Sequence, residues 1–208
     1  PLAESIASEL GVSLGEPNLA EFANGEVHCR FSESIRGCDV FIVQTHSGSE
    51  DSSINDSLME QLIMVDAAKR ASAKRITVVC PAYGYGRQDR KASGREPITA
   101  KLVANLFKEA GASRLVSVDL HSGQTQGFFD GPVDHLTAMP VLVERLSSLN
   151  GDLTIVSPDA GRVKVAERYA MTLGAELAIV HKRRSHSSFN TVEAREVVGD
   201  VDGRVCIL

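Results

Sequence analysis

The sequence has no long hydrophobic run. Its longest stretch without Asp, Glu, Lys or Arg covers residues 76–86, well short of the ~18 to 20 apolar residues that cross a bilayer. The N-terminal segment PLAESIASELG has a helical pattern with proline in its first turn and glycine at its end, and it lacks the cationic and apolar regions of a signal peptide. The sequence therefore predicts a cytoplasmic protein with no membrane span and no membrane partner.

Closely spaced cysteine pairs are also absent. The four cysteines form no CxxC motif, and three of them lie in apolar runs of strand length; they are Cys29, Cys38, Cys80 and Cys206. We therefore expect small buried thiols rather than metal ligands or redox groups.

The common phosphate-binding motifs are missing as well. No GxxxxGK[ST] segment occurs, and Asp89 stands where a motif begun by Gly84 and Gly86 would need a third glycine. The net charge of -5 argues against a nucleic-acid partner. Cations nevertheless concentrate in residues 87–101 and 182–184. This local enrichment in an acidic protein indicates a small, highly charged anion as ligand.

The composition is that of a folded α/β protein. Hydrophobic residues make up 43% and charged residues 24% of the 208-residue chain, as in ordinary globular domains. Apolar runs of strand length alternate with helical segments, which predicts mainly parallel, doubly wound sheets. Asn24-Gly25 predicts a hairpin near the N-terminus. The segments FKEAGASRLVSVDLHS and YAMTLGAELAIVHKRRS have a similar order of helix, glycine, strand and polar loop. Either the chain has two related halves, or the similarity is the one that any two α/β units share.

Polar residues follow the predicted strands, where parallel sheets bind their ligands. The loop of residues 81–97 is longer than the usual ~2 to 6 residues, and its arginines and Gln88 suit phosphates and a base edge. Asp119 and His121 at one strand end and Asp159 at another suit a hydrated Mg2+. The alternatives are a solvated surface loop and a structural histidine.

A second cationic segment, His181-Lys182-Arg183-Arg184, opens a polar, Ser-rich stretch. Such a loop can fold over a substrate, and its cations can stabilise charge on a transferring phosphoryl group. A solvated run of charges is the alternative interpretation.

Seven segments, taken in chain order, resemble the ribose-phosphate diphosphokinases, also called phosphoribosyl pyrophosphate synthetases. They are FANGEV, RGCDVFIVQ, YGYGRQDRK with REPITAK, SVDLH, QGFFDGPVDH, VSPDAG and HKRR. The resemblance implies two phosphoribosyltransferase-like domains, the first formed by residues 1–136 and the second, incomplete, by residues 137–208. It also implies transfer of the diphosphoryl group of ATP to the 1-hydroxyl of ribose 5-phosphate. Mg2+ as cofactor, a homohexamer, and phosphate and ADP as effectors are implied in the same way.

The resemblance assigns ATP contacts to six residues. One group forms a loop that reaches the adenine bound by a neighbouring subunit, and a pair contacts ATP within the subunit. The residues are Phe22, Asn24, Gly25 and Glu26 in the loop, and Arg87 and Gln88 in the pair. Asn24 departs from the aspartate that is usual in the family and lacks its ionisable oxygen, although an amide still bonds an adenine edge.

The remaining assignments concern the metal and the reaction. His121 and Asp159 match Mg2+ ligands of the family. Lys182 matches the catalytic lysine, and Arg184 matches the arginine that acts in catalysis and meets the transferring phosphate or ribose phosphate.

The resemblance also raises an expectation about the end of the chain. In the family, an acidic segment and a Thr-Gly-Gly-Thr turn that grip ribose 5-phosphate follow the last strand, whereas this sequence stops at Leu208. We therefore expect a fragment that lacks a complete sugar-phosphate site and is inactive alone. Two alternatives stay open: a catalytically inactive, synthetase-associated regulatory subunit, and a phosphoribosyltransferase.

Overall fold

The computed structural model describes residues 1–48, 52–184 and 192–208, with only the backbone described for residues 182–184 and 192–195. The chain divides into two compact units, residues 1–137 and 138–208. Within the described ranges, no helix has the length and apolar character that a membrane span requires.

The first unit begins with a helix and a hairpin. Helix α1 (Leu2–Leu10) ends at Gly11, whose φ of 64° is a left-handed conformation that glycine adopts without a steric penalty. Strands β1 (Pro17–Glu21) and β2 (Val27–Phe31) then pair in antiparallel register. The hairpin predicted from Asn24-Gly25 is confirmed.

A four-stranded parallel sheet forms the rest of the first unit, in the order β3-β4-β5-β6. Its elements are β3 (Asp39–Val43), α2 (Ile54–Arg70), β4 (Arg75–Cys80), α3 (Thr99–Ala110), β5 (Arg114–Val118), a short 3-10 helix (Gly123–Gly127) and β6 (Val133–Leu136). Helix α2 starts with a capping box, because the Ser53 hydroxyl accepts from the Asp56 N–H while the Asp56 carboxylate accepts from the Ser53 N–H.

The core of the first unit lies between its helices and the sheet. Alternating residues of the central strands, such as Val78 and Leu115, pack against apolar residues of α2 and α3, such as Val65 and Phe107. Parallel strands of this kind place their carboxyl ends at one edge, so the loops that follow β4 and β5 meet there.

The second unit also contains a mainly parallel sheet, in the order β10-β7-β8-β9. Its elements are α4 (Met139–Leu146), β7 (Leu153–Ser157), a short 3-10 helix (Ala160–Arg162), α5 (Val163–Leu173), β8 (Glu176–Arg184), β9 (Val192–Val198) and β10 (Val205–Ile207). Strands β10, β7 and β8 are parallel, and β9 is antiparallel to β8. The predicted α/β class with mainly parallel sheets is confirmed.

The cationic segment 181–184 differs from the sequence prediction. We expected it to open a loop, whereas β8 continues through Arg184 and pairs with β9, a strand that the sequence pattern did not predict. Charges do not prevent strand formation when one face is solvated, and a register shift between His181 and Lys182 disturbs the two-residue alternation that marks a strand. Residues 185–191, the Ser-rich part of the predicted loop, lie outside the described residues.

The cysteines differ from one another in exposure. Cys80 is buried and Cys29 is half-buried, but Cys38 and Cys206 are exposed. The expectation of buried thiols is therefore wrong for these two. Cys38 precedes β3 instead of lying inside it, and Cys206 lies on β10, whose three residues are at most half-buried.

Candidate functional site

The loop between β4 and α3, residues 81–98, is built from consecutive turns. The Gly86 N–H donates to the Tyr83 carbonyl at 3.3 Å, and the Gln88 N–H donates to the Tyr85 carbonyl at 2.8 Å. Tyr85 has a φ of 62°, a conformation that non-glycine residues seldom adopt. The loop thus follows a defined, partly strained path, of the kind often found at binding sites.

A buried histidine holds the start of this loop. The His46 ring is 3% exposed, and its Nδ1 accepts a hydrogen bond from the Gly84 N–H at 3.0 Å. The ring is stacked on Phe107, with centroids 5.8 Å apart and an interplanar angle of 8°. A Cβ on Gly84 would lie 3.0 Å from the His46 Cβ, so glycine permits this close approach.

Burial keeps His46 neutral. Desolvation lowers its pKa below the ordinary value of 6.5, although the hydrogen bond with Gln61 acts in the opposite direction. The unfolded chain lacks this burial and takes up the proton near pH 6.5. Because the unfolded state then binds more protons than the folded state, acidification below pH 6.5 favours unfolding.

We therefore expect His46→Asn to flatten the pH dependence of stability. In the unmodified chain, protonation of this one group in the unfolded state should lower the free energy of unfolding by up to about 1.4 kcal/mol for each pH unit below 6.5. Urea denaturation of both proteins between pH 5.5 and 8 measures the difference. Parallel curves for the two proteins would show that the folded and unfolded states bind the His46 proton equally well.

Asp89 ties the middle of the loop to the segment that follows β5. Its carboxylate, in a residue that is 8% exposed, accepts from the Ser122 hydroxyl at 2.5 Å and from the Gln124 amide at 3.1 Å. A largely buried carboxylate needs such donors, because leaving a buried charge unpaired costs several kcal/mol. The loops after β4 and β5 are thereby joined.

The predicted ATP pair lies between these two anchors. Arg87 and Gln88 are both exposed, and the Gln88 side-chain oxygen accepts from the Thr99 hydroxyl at 2.5 Å. The Ala100 N–H, in the first turn of α3, donates to the Gln88 carbonyl at 3.1 Å. The backbone of Gln88 is therefore fixed while the Arg87 guanidinium faces solvent.

His121, the predicted metal ligand of the first unit, lies beside the same loop. It is exposed, and a Cβ built on Gly86 would lie 3.7 Å from its Cβ. Arg87 follows Gly86 directly, so the structure brings the predicted ATP loop and this histidine together at the carboxyl ends of β4 and β5.

Two side chains that no sequence pattern singled out fix the backbone next to His121. His135 Nε2 accepts from the Leu120 N–H at 3.0 Å, and the Thr137 hydroxyl donates to Asp119 Oδ1 at 2.8 Å. Asp119 has a φ of 45°, which a non-glycine residue adopts only when its surroundings support it. The turn that carries His121 is therefore held from β6.

The hairpin loop presents the other predicted adenine contacts. Phe22 is 55% exposed, and its N–H donates to the Glu26 carbonyl at 2.9 Å while the Gly25 N–H donates to the Phe22 carbonyl at 2.8 Å. Gly25 has a φ of 86°. Asn24 Oδ1 accepts from the Glu26 N–H at 3.2 Å, so an asparagine at this position orders the turn itself.

In the second unit, Asp159 lies two residues after Ser157, the last residue of β7. It is exposed, and its Oδ1 caps the short 3-10 helix by accepting from the Gly161 N–H at 2.9 Å. Lys182 and Arg184 lie on β8, and their side chains lie outside the described residues.

The two predicted Mg2+ ligands belong to different units, His121 to the first and Asp159 to the second. Among the described residues, no group of three or more His, Cys, Asp and Glu side chains forms a metal cage. The Asp159 carboxylate suits Mg2+, which prefers oxygen donors and is commonly held by one or two carboxylates together with waters and substrate phosphates.

Comparison with known proteins identifies the family. A family model described as the N-terminal domain of ribose phosphate pyrophosphokinase matches residues 1–111, more than half of the chain. The chain belongs to the ribose-phosphate pyrophosphokinase family. The family predicted from the seven sequence segments is therefore confirmed.

Similar proteins extend this likeness over the whole chain. Ribose-phosphate pyrophosphokinases of Streptomyces coelicolor and Corynebacterium glutamicum are each 56% identical to it, and both matches cover 100% of this chain and 63% of the relative. The crystal structure of phosphoribosylpyrophosphate synthetase from Mycobacterium smegmatis matches with a TM-score of 0.87 and 52% identity, over 99% of this chain and 65% of that one. The chain thus spans less than two thirds of the length of these family members.

Proposed function

We propose that this chain forms the nucleotide-binding and phosphoryl-transfer part of a ribose-phosphate pyrophosphokinase, a transferase of nucleotide biosynthesis. The reaction transfers the diphosphoryl group of ATP to the 1-hydroxyl of ribose 5-phosphate and gives phosphoribosyl pyrophosphate and AMP. One observation carries the proposal: the loop with Arg87 and Gln88 lies beside His121 at the carboxyl ends of β4 and β5.

Arg87 and Gln88 bind ATP in this proposal. An exposed guanidinium next to an ordered backbone offers two parallel donors to phosphate oxygens or purine acceptors. Gln88 is held by Thr99 and Ala100, so little rotational freedom is lost when it meets the nucleotide.

The hairpin loop supplies the adenine contacts of a neighbouring subunit, which requires an oligomer such as the homohexamer that the family resemblance implies. Phe22 offers an exposed ring for stacking. Asn24 and Glu26 flank Gly25 in the same turn, and their side chains offer hydrogen-bonding groups to the adenine edge.

In this proposal His121 of the first unit and Asp159 of the second would each offer Mg2+ one donor atom, an imidazole nitrogen and a carboxylate oxygen. When bound, the ion neutralises charge on the polyphosphate and polarises the β-phosphoryl group. Asp159 is suited to this role because its Oδ1 is oriented by the Gly161 N–H in a turn at a strand end.

In the transfer step, the ribose 1-hydroxyl oxygen forms a bond to the β-phosphorus. The bond from that phosphorus to the oxygen bridging the α- and β-phosphates breaks, AMP leaves with the electron pair, and the hydroxyl proton passes to solvent. Lys182 and Arg184 offset the charge that gathers on the transferring group. Arg184 also meets ribose 5-phosphate, and phosphate and ADP act as effectors.

Two measurements test this function. Calorimetric titration of the 208-residue chain with Mg-ATP measures nucleotide binding. AMP release is measured in a chimera in which residues 1–208 are followed by the remaining part of the Streptomyces coelicolor relative. We expect AMP only when Mg2+, ATP and ribose 5-phosphate are all present. A chain that binds no Mg-ATP, or AMP release that does not depend on ribose 5-phosphate, contradicts the proposal.

Arg87→Ala should weaken the binding of Mg-ATP by ~1.5 to 3 kcal/mol, the range for a charge-assisted hydrogen bond. Arg70→Ala is the matched control, because Arg70 is an exposed arginine of the same unit that pairs with Asp66 at 2.6 Å on α2. Calorimetric titration should give an unchanged affinity for the control. An unchanged affinity for Arg87→Ala would refute the ATP assignment.

A further inference from the structure

The loop that carries Arg87 and Gln88 is fixed to the sheet through one side chain. His46 follows β3, and its main-chain N–H donates to the Ala82 carbonyl at 3.1 Å. Its ring Nδ1 accepts from the Gly84 N–H at 3.0 Å. One residue thus holds two successive peptide groups of the loop, three to five residues before Arg87.

The direction of each hydrogen bond in this contact is determined. A backbone N–H is always a donor, so Nδ1 of His46 is the unprotonated nitrogen and Nε2 carries the hydrogen. Nε2 then donates to Gln61 Oε1 at 2.8 Å. The Gln61 Nε2 donates to the carbonyls of Ile42 at 2.9 Å and Val79 at 3.2 Å.

This chain of bonds has a rigid base. Gln61 on α2 is fully buried, and its bonds to carbonyls of β3 and β4 prevent its amide from turning over. Cys80 Sγ donates to the same Gln61 oxygen at 3.2 Å. The position of Gly84 is therefore set by the sheet itself through Gln61 and His46.

The next two turns link the position of Gly84 to the positions of Arg87 and Gln88. The Gly86 N–H bonds to Tyr83, and the Gln88 N–H bonds to Tyr85, so a displacement of Gly84 moves both exposed side chains. Gly84 is buried, and loss of its acceptor would leave a buried N–H without a protein partner, which favours an alternative loop path.

We propose that His46 is a positioning residue that holds the loop of residues 81–98 in the conformation in which Arg87 and Gln88 meet the nucleotide. The inference rests on the proposed function for its nucleotide part. Nucleotide binding to a loop that is already ordered does not include the entropy cost of ordering it. His46 therefore contributes to affinity without touching ATP.

Two variants of similar polarity separate positioning from mere packing. His46→Asn places an acceptor near the former Nδ1 and keeps the bond to Gly84. His46→Gln places its polar atoms near the former Nε2, so it keeps a partner for Gln61 and loses the bond to Gly84. Ile76→Val, a buried change near the opposite end of β4, controls for a general loss of stability.

We expect His46→Gln to weaken Mg-ATP binding about five- to tenfold and to speed amide exchange at Gly84 by about tenfold, the effect of losing one backbone hydrogen bond. His46→Asn should stay within about twofold of the unmodified chain in both measurements, as should Ile76→Val. Calorimetry and hydrogen exchange on the 208-residue chain supply the data.

Equal losses of Mg-ATP affinity and of Gly84 protection in His46→Asn and His46→Gln would overturn the inference. A role in packing alone predicts the same effect for both variants, whereas the bond to Gly84 is lost only in His46→Gln. So would an unchanged Mg-ATP affinity in His46→Gln alongside faster exchange at Gly84. If the unmodified chain binds no Mg-ATP, the proposed function and the nucleotide part of the inference fail together. Exchange at Gly84 in the two variants then still decides whether His46 holds the loop.

Discussion

Lys182→Ala is expected to lower kcat for AMP release by about three orders of magnitude, because positioned cations supply rate factors of this size in phosphoryl transfer. The dissociation constant for Mg-ATP should change by no more than a few-fold. The charge on the transferring group develops mainly in the transition state, so a cation beside that group stabilises the transition state more than the ground state. Removing the cation therefore lowers kcat more than it weakens ground-state binding.

Lys164→Ala is the control for this prediction. Lys164 is an exposed lysine on α5 of the same unit, and its loss should leave kcat within about twofold. Both variants are measured in the chimera with the Streptomyces coelicolor relative, by AMP release under saturating ATP and ribose 5-phosphate. A Lys182→Ala enzyme that turns over at the normal rate, or that loses ATP binding as much as turnover, does not fit the catalytic role.

The sequence allowed the helices and most parallel strands to be predicted, because their patterns are local. Asn24-Gly25 predicted the hairpin, and Gly11 ends α1 as expected. Glycines also follow α3 and α5, at positions 111 and 174. Strand β9 was missed, although VEAREVV has a partial alternation of apolar and polar residues, because the Ser-rich segment before it suggested a continuous loop.

The residues at the strand ends were predictable for the same reason. Arg87, Gln88 and His121 stand out as polar residues directly after apolar runs, and the sheet topology places them at one edge. Which of them lie side by side was not predictable from spacing. The proximity of Gly86 and His121 depends on the path of two loops.

The supporting contacts could not be predicted, since each joins distant parts of the chain. His46 and Gly84 are 38 residues apart, and Asp89 and Ser122 are 33 residues apart. A buried histidine has no local pattern that distinguishes it from an exposed one. The glycines at 84 and 86 were a signal of close approach, but they did not identify His46 or His121 as the neighbour.

Phe107→Ala is expected to destabilise the first unit by about 3–5 kcal/mol, the range for deleting a buried phenyl ring. Phe107 is fully buried in α3, packs in the core of the first unit and carries the stacked ring of His46. The deletion opens a cavity next to His46, whose ring accepts the hydrogen bond from Gly84 in the loop of residues 81–98. The amide of Gly84 should therefore lose protection at lower urea than the amide of Val78 in β4.

Phe41→Ala is the matched control, because Phe41 on β3 is 62% exposed in the chain and its loss should cost less than about 0.5 kcal/mol. Urea titration followed by amide exchange at Val78 measures the stability of the first unit in both variants. A cost of less than about 1 kcal/mol for Phe107→Ala would mean that neighbouring side chains fill the space. In that case the His46 ring would not depend on Phe107 for its position, and Gly84 would keep its protection in the variant.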